Sequence, residues 1–462
     1  MGLKQRETAI FACYTGAAYR LLRYSKRSFV HLIQTMTSPL DNLQNSAKTG
    51  TPAAHDVIEW PDANRAAVFE HWLASLASEH GLQPASVRLA SADASFRRYF
   101  RVTSAQSPSG SFIVMDAPPA KEDCAPFAKV AALMADAGLN APRVLAWDAP
   151  AGFMLLTDLG SQTMMEAMTA TMPGGQAPAG TSSAQPTAEH ERLYLDAIDL
   201  LVRWQLASKP GVLPPYDDAL LSRELALFPD WYVAKHRGIT LNAEAQATLD
   251  KAFAQIKASN LESLGGASVY VHRDFMPRNL MMPLQAQGEQ VEPAGERSEG
   301  FFKQGPRDWL CQTAGAAAPS GGSAVHAVTS VGVLDFQDAV YGPITYDIAS
   351  LMRDAFLSWD EEFVLEISIR YWQKARKAGL PVGDDFGEFY RAVEWMGLQR
   401  HLKILGIFAR LTLRDGKPRY LADTPRFIKY VRATCARYRQ LGPLMVLLDQ
   451  IEGNETRVGY TF

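Results

Sequence analysis

The spacing of apolar residues changes along the chain and divides it in two. From about Asn64, the residues Ala66, Val68, Phe69, Trp72, Leu73 and Leu76 recur at helical intervals and predict an amphipathic helix. Residues 87–102 and 111–115 alternate in the manner of strands, joined by the turn-rich SAQSPSG. A helix over roughly 126–137, closed by Gly138, precedes two further strands near 144–147 and 153–156. Strands, one helix and more strands, with no helical return between the first pair, predict a small, mostly antiparallel sheet carrying a helix.

Beyond Leu159 and Gly160 the period becomes helical, over about 190–207, 218–235, 242–259 and again 359–438. Two biased stretches interrupt it. Residues 168–190 are low in complexity, and 283–330 are rich in Gly, Ala, Gln, Pro and Ser. A loop as long as the second is uncommon inside a compact domain, so it reads as an insertion. Its FFKQGPRDWL carries Phe301, Phe302 and Trp309, which leaves a lid over an acceptor site as the alternative to a plain linker. The fold class expected is α+β with two lobes. An extension (1–60) precedes a sheet lobe (61–157) and a larger helical lobe (158–462).

Within the helical lobe, VYVHRDFMPRNLMM sets His272, Arg273, Asp274, Pro277, Arg278 and Asn279 between two apolar strand ends. A structural turn does not need so many polar groups. After the insertion, VGVLDFQDAVYGPITYDIASLMRD brings a second apolar run, Val331, Val333 and Leu334, to Asp335, with Asp338 just beyond. Carboxylate and amide oxygens converging from two strand ends suit a hard divalent cation such as magnesium, which keeps several waters and shares its site with substrate phosphates. Asp347, near the start of the following helix, is expected to cap that helix through its own first-turn N–H groups.

Composition narrows the partners. The 462 residues have a formal net charge of -3, without the basic excess of a nucleic-acid-binding chain. Cys13, Cys124, Cys311 and Cys435 lie far apart, with neither metal-ligand spacing nor a disulfide framework, which fits a reducing cytoplasm. No run of about 18 apolar residues predicts a membrane span. Residues 1–36 carry Lys4, Arg6, Arg20, Arg23, Lys26 and Arg27 against Glu7 alone. They read as a poorly ordered extension or one preceding a true start at Met36, with a transit peptide or a membrane-surface helix as the alternatives. No uninterrupted apolar surface stands out, so a monomer is expected.

His272, Asp274, Asn279 and Asp335, in this order and on strands of this kind, resemble the catalytic machinery of kinase-fold phosphotransferases. With SADASFRRYFRV, VMDAPPAKED and ALLSRELALFPDWY, they resemble the aminoglycoside phosphotransferase family, and within it the bacterial cell-wall sugar kinases, over about residues 65–450. The resemblance implies a protein-kinase-like fold, ATP and Mg2+ as cofactors, and an amino sugar phosphorylated on its anomeric hydroxyl. It makes Asp274 the base, His272 the residue that orients the loop, and Asn279 and Asp335 the metal ligands. The phosphate-covering loop falls on SADASFRRYFRV, where Ser91, Ser95 and either Arg97 or Arg98 contact phosphates. Arg98 shares a strand face with Phe96 and Phe100, and Arg97 shares the other with Arg101, a choice the sequence leaves open. Leu156, Thr157, Asp158 and Leu159 form the hinge that holds the purine. Asp338, Glu224, Asp230 and Trp231 are the candidates for the acceptor.

The chain departs from the family pattern at Asp116, which stands near the expected lysine; Lys121 or an arginine is the replacement to look for. An aminoglycoside, choline or homoserine acceptor, and a catalytically silent binding protein, are the competing readings.

Overall fold

The computed structural model describes residues 58–60, 62–92, 96–175, 184–284 and 330–454. The expectations for residues 1–57, for Ser95 and for FFKQGPRDWL lie outside these. Helix α1 (Ala63–Leu76) opens the sheet lobe, its first turn capped by the Asp62 carboxylate. Strands β1 (Arg88–Ala92), β2 (Arg98–Thr103) and β3 (Ser111–Asp116) follow, then helix α2 (Ala125–Asp136) and strands β4 (Val144–Asp148) and β5 (Phe153–Thr157). The sheet order is β1-β2-β3-β5-β4, with every neighbour antiparallel.

Alternation along the strands sorts side chains onto two faces. Phe100, Val102, Phe112, Val114, Phe153 and Leu155 pack outward against Phe69 and Leu73 of α1. Met115, Met154 and Leu156 point the other way, and with Phe127, Val130 and Met134 of α2 they join the core that continues into the second lobe. The sheet is thus covered on both faces, where the sequence pattern suggested a single covering helix.

The helical lobe begins with α3 (Met164–Ala170) and α4 (Ala188–Leu206), both with Thr-led capping boxes. These helices occupy both ends of the low-complexity stretch at 168–190; residues 176–183 between them are outside the description. Helix α5 (Asp218–Leu227) does not run to Lys235 as its periodicity suggests. A wider-wound π segment, Phe228–His236, replaces it. Pro229 lacks the N–H that an α-helical continuation needs and crowds the preceding turn.

Helix α6 (Ala243–Glu262) leads to strand β6 (Ser268–Val271), and β7 (Leu280–Met281) follows the catalytic-type loop. Strand β8 (Gly332–Val333) pairs with β7, and β9 (Val340–Pro343) pairs with β6, both antiparallel. The expected helical stretch at 359–438 is three helices: α8 (Glu361–Lys377), α9 (Phe386–Leu413) and α10 (Thr424–Arg437). Helix α7 (Thr345–Met352) lies before them and α11 (Gly442–Glu452) after. Gly406 lets α9 run against the end of α5, because a Cβ there would strike the backbone of Leu227. That close approach sets the inner side of α9 under the catalytic-type loop.

Candidate active site

The β6–β9 and β7–β8 pairs hold the two polar loops side by side. Leu280 pairs with Val333 and Val271 with Val340, so the loop from His272 to Asn279 meets the turn from Leu334 to Ala339. The Leu334 N–H donates to the Asn279 carbonyl at 2.9 Å. Two residues stand in the left-handed region that L side chains rarely adopt, Arg273 at φ 78° and Asp335 at φ 62°. Strained backbone of this kind persists only where its surroundings fix it.

Those surroundings can be named. Asp347 is fully buried in α7, and its carboxylate accepts the His272 N–H at 2.7 Å and the Arg273 N–H at 3.0 Å. This corrects the expectation that it caps its own helix, where no side-chain cap forms. Buried amides of a loop have no helical partner of their own, and the carboxylate supplies one. Burial raises the Asp347 carboxyl above its ordinary value, opposed by His272 and by the two loop N–H groups it accepts.

His272 is buried, and burial pushes its pKa down against the pull of Asp347 and Asp274. Nε2 lies 3.0 Å from the Leu334 carbonyl, to which it donates, and Nδ1 accepts the Asp274 N–H at 3.3 Å. One imidazole therefore ties the two loops together.

Arg400, buried on α9, donates to the Arg273 carbonyl at 2.6 Å and to the Ser350 hydroxyl at 2.7 Å. Its guanidinium ends 4.0 Å from the Asp274 carboxylate, whose side chain is 40% exposed. Asp274 thus faces the open side with a fixed cation behind it. Asn279 donates through Nδ2 to the Asp274 carbonyl at 2.9 Å and to Asp335 at 3.3 Å. Gln337 donates to the other Asp335 oxygen at 2.9 Å. With Nδ2 so engaged, the Asn279 side-chain oxygen Oδ1 and the exposed Asp335 carboxylate form an all-oxygen donor set. That set fits a hard divalent cation completing its sphere with water and phosphate oxygens. Among the described residues no cluster of three His, Cys, Asp or Glu offers an all-protein cage.

The remaining predicted residues divide. Asp338 is 65% exposed beside the loop, with Arg273 4.0 Å from its carboxylate. Glu224 is a correction. It is buried, and it accepts from Arg273 at 2.5 Å, Tyr216 at 2.7 Å, Lys403 at 2.8 Å and Gln399 at 2.9 Å. Burial opposes its ionisation, yet Lys403 and Arg273 outweigh that and hold the carboxyl at about 2. A carboxylate with four internal partners supports the loop and is not turned to an acceptor. Asp230 is exposed, and Trp231 is half-buried with the Lys235 ammonium 3.5 Å above its ring. Among the described residues no hydrogen bond, ion pair or ring contact joins either to the Asp274 loop.

In the sheet lobe, Arg98 is a further correction. It lies on the outer face, its guanidinium 4.3 Å over the Trp60 ring and its Nε donating to Asp116 at 3.0 Å. Arg65 of α1 donates to the same buried carboxylate at 2.8 Å. Asp116 therefore points away from the cleft, and its acid matches two outer arginines. Ser91 is exposed on β1. At the hinge, Leu156 and Leu159 are buried. The Thr157 N–H already donates to the Arg143 carbonyl at 3.1 Å, which takes it out of the set available to a purine. The Asp158 side chain is a clasp: it accepts from Arg101 at 2.5 Å, Ser111 at 2.6 Å and the Gly160 N–H at 2.9 Å.

Arg400, Lys403, Ser350 and Gln337 were not singled out from the sequence. The signal for the first two was present. Helix α9 carries Gln399, Arg400, His401 and Lys403, interrupted only by Leu402, within a stretch otherwise apolar enough to be buried.

The Phosphotransferase enzyme family model matches residues 86–291 and 325–383. An N-acetylmuramate/N-acetylglucosamine kinase of Pseudomonas aeruginosa is 43% identical over 80% of this chain and 89% of its own length. A protein of the same name from Neisseria meningitidis serogroup B is 42% identical over 85% of this chain and 98% of its own. One from Caulobacter vibrioides is 30% identical over 79% and 92%. With a family model matching more than half of the chain and relatives aligned over nearly their whole length, the chain belongs to the phosphotransferase enzyme family.

Proposed function

We propose that this protein is an ATP- and magnesium-dependent kinase that phosphorylates the anomeric hydroxyl of an amino sugar, N-acetylmuramate or N-acetylglucosamine, and so serves cell-wall recycling. The observation that carries the reading is Asn279, bonded at once to the Asp274 backbone and to the Asp335 carboxylate. It ties the base and the metal donors into one rigid unit. The acceptor follows from the names of the relatives, which align over most of both chains.

In this reading Asp274 accepts the hydrogen bond of the anomeric hydroxyl and aligns its oxygen in line with the γ-phosphorus. A bond forms from that oxygen to phosphorus as the bond to the bridging oxygen of ADP breaks, and Asp274 takes the released proton. Arg400 and the Asp347-held backbone keep the carboxylate from drifting, which is where most of the rate arises. Asn279 and Asp335 would hold the metal, which supplies neutralisation of phosphate charge when bound. An anomeric hydroxyl is more acidic than an ordinary alcohol, so an exposed carboxylate is base enough. In the same reading Asp338, exposed beside Arg273, meets the acceptor.

The test incubates the protein with ATP, magnesium and each sugar, and locates the phosphate by phosphorus and proton NMR. Asp274→Asn is expected to lower turnover by about a hundredfold to ten-thousandfold, with ATP binding by calorimetry retained. Turnover near the original rate removes the base assignment; phosphate on any other hydroxyl removes the anomeric one.

A further inference from the structure

Kinase-type sheet lobes hold the nucleotide phosphates with a cation on the sheet, fixed by an acid of the neighbouring helix. Here the strand that would carry that cation ends in Asp116, which is turned to the outer face and taken up by Arg65 and Arg98. Lys121 lies exposed, its ammonium 4.6 Å over the Phe96 ring. Side-chain alternation puts Arg97, Tyr99 and Arg101 on the opposite face from Arg98 and Phe100. Tyr99 packs on the core shared with the helical lobe, which marks that face as the inner one. Arg101 on the same face is held by Asp158 and the Gly160 carbonyl.

Arg97 stands at the head of β2, where the phosphate-covering loop ends. Its guanidinium lies 3.1 Å from Glu122, with the two side chains only 11% and 16% exposed. Glu122 also receives the Phe96 N–H at 3.3 Å and sits just ahead of α2, the helix that packs on the inner face of the sheet. We propose that Arg97 is the nucleotide-phosphate cation of this enzyme and that Glu122 is its positioning residue. The helix-side acid is kept, and the cation has moved from the end of β3 to the start of β2 as an arginine. A planar guanidinium carries five N–H donors, so one edge can meet a carboxylate while another meets phosphate oxygens; a lysine ammonium lacks this division.

The inference rests on the reading of the chain as an ATP-binding kinase, and calorimetry separates the two. ATP, ADP and adenosine are titrated, with magnesium, into the full chain and into Arg97→Met, Arg97→Lys, Glu122→Gln and Arg98→Met, each checked by its melting temperature. The original chain is expected to bind ATP and ADP more tightly than adenosine. Arg97→Met should lose about tenfold to a hundredfold in ATP and ADP affinity, the worth of one or two charge-assisted hydrogen bonds, with adenosine unchanged. Arg97→Lys should recover part of the loss, and Glu122→Gln should weaken ATP by a smaller factor while the KM for sugar stays constant. Arg98→Met should lower the melting temperature and leave the preference for phosphate intact. A folded Arg97→Met with undiminished preference for ATP over adenosine overturns the proposal. If that variant does not fold, Arg97→Lys with unaltered ATP affinity does so instead. No ATP binding by the original chain overturns the kinase reading itself.

Discussion

Two buried cations of α9, Arg400 and Lys403, lie beneath the catalytic-type loop, and the half-buried Arg273 reaches down from the loop itself. Arg400 holds the Arg273 carbonyl, while Arg273 and Lys403 both donate to the same oxygen, Oε1, of Glu224. The φ of 78° at Arg273 costs on the order of 1–3 kcal/mol, and Glu224 with Asp347 offsets it by fixing side chain and backbone together. Glu224→Gln keeps the shape and removes the charge, leaving the buried Lys403 and the half-buried Arg273 without their shared counter-charge. We expect a loss of about 3–5 kcal/mol in stability, measured as a lowered urea midpoint, and a fall in kcat larger than any change in the KM for ATP. A variant with unchanged kcat would make the hub purely structural. The sign of its pH dependence follows from a carboxyl held at about 2. Its contribution is fully present above the unfolded value of about 4.5 and is lost as pH falls towards 2.

The elements that carry the site are short, and their pairing does more than their length suggests. Strands β7 and β8 are two residues each, yet they bring Asn279 and Asp335 within hydrogen-bond distance although 56 positions separate them. Met281 and Gly332, which flank the insertion, are direct partners, so a short connection can close the same pair. Replacing residues 288–327 with a short Gly/Ser linker should therefore leave turnover within about tenfold, since loop length costs little entropy once a loop is long. The KM for sugar in the shortened protein is the deciding measurement. A rise beyond about a hundredfold, with ATP affinity constant, would assign FFKQGPRDWL to the acceptor site. Element identity was readable from periodicity in most of the chain. The end of α5 was not, because the apolar pattern continues through Phe228, Tyr232 and Val233 while Pro229 changes the winding of the backbone.

At the scale of the whole molecule, no helix among the described residues is long and apolar enough to cross a membrane. Its response to acid has an internal marker. His401 is buried on α9 against the Tyr430 ring, with Nε2 3.4 Å from the Arg353 carbonyl. Burial, with the nearby Arg353 charge, lowers its pKa to about 3. A histidine held neutral in the fold contributes stability that is complete above its unfolded value near 6.5 and is lost as pH falls towards 3. Between pH 7 and pH 5 this one group should remove about 2 kcal/mol. Urea midpoints at the two pH values measure it, and His401→Gln should flatten the slope.

What the sequence by itself determined is the local order: strand and helix periods, the His272–Asn279 loop, the run ending in Asp335, and the two stretches of biased composition. Those follow from neighbours along the chain, which dictate period, turn chemistry and polarity. Only the tertiary structure decided which face each charge takes. Whether Arg98 meets a phosphate or Asp116, whether Glu224 meets a sugar or Lys403, and whether Asp347 caps its helix or holds His272 all depend on distant partners. Asp116 lies 51 residues from Arg65, Glu224 lies 179 from Lys403, and Asp347 lies 75 from His272. A buried charge is settled by whichever opposite charge or donor the packing brings to it, and packing across such separations leaves no periodic trace in the chain.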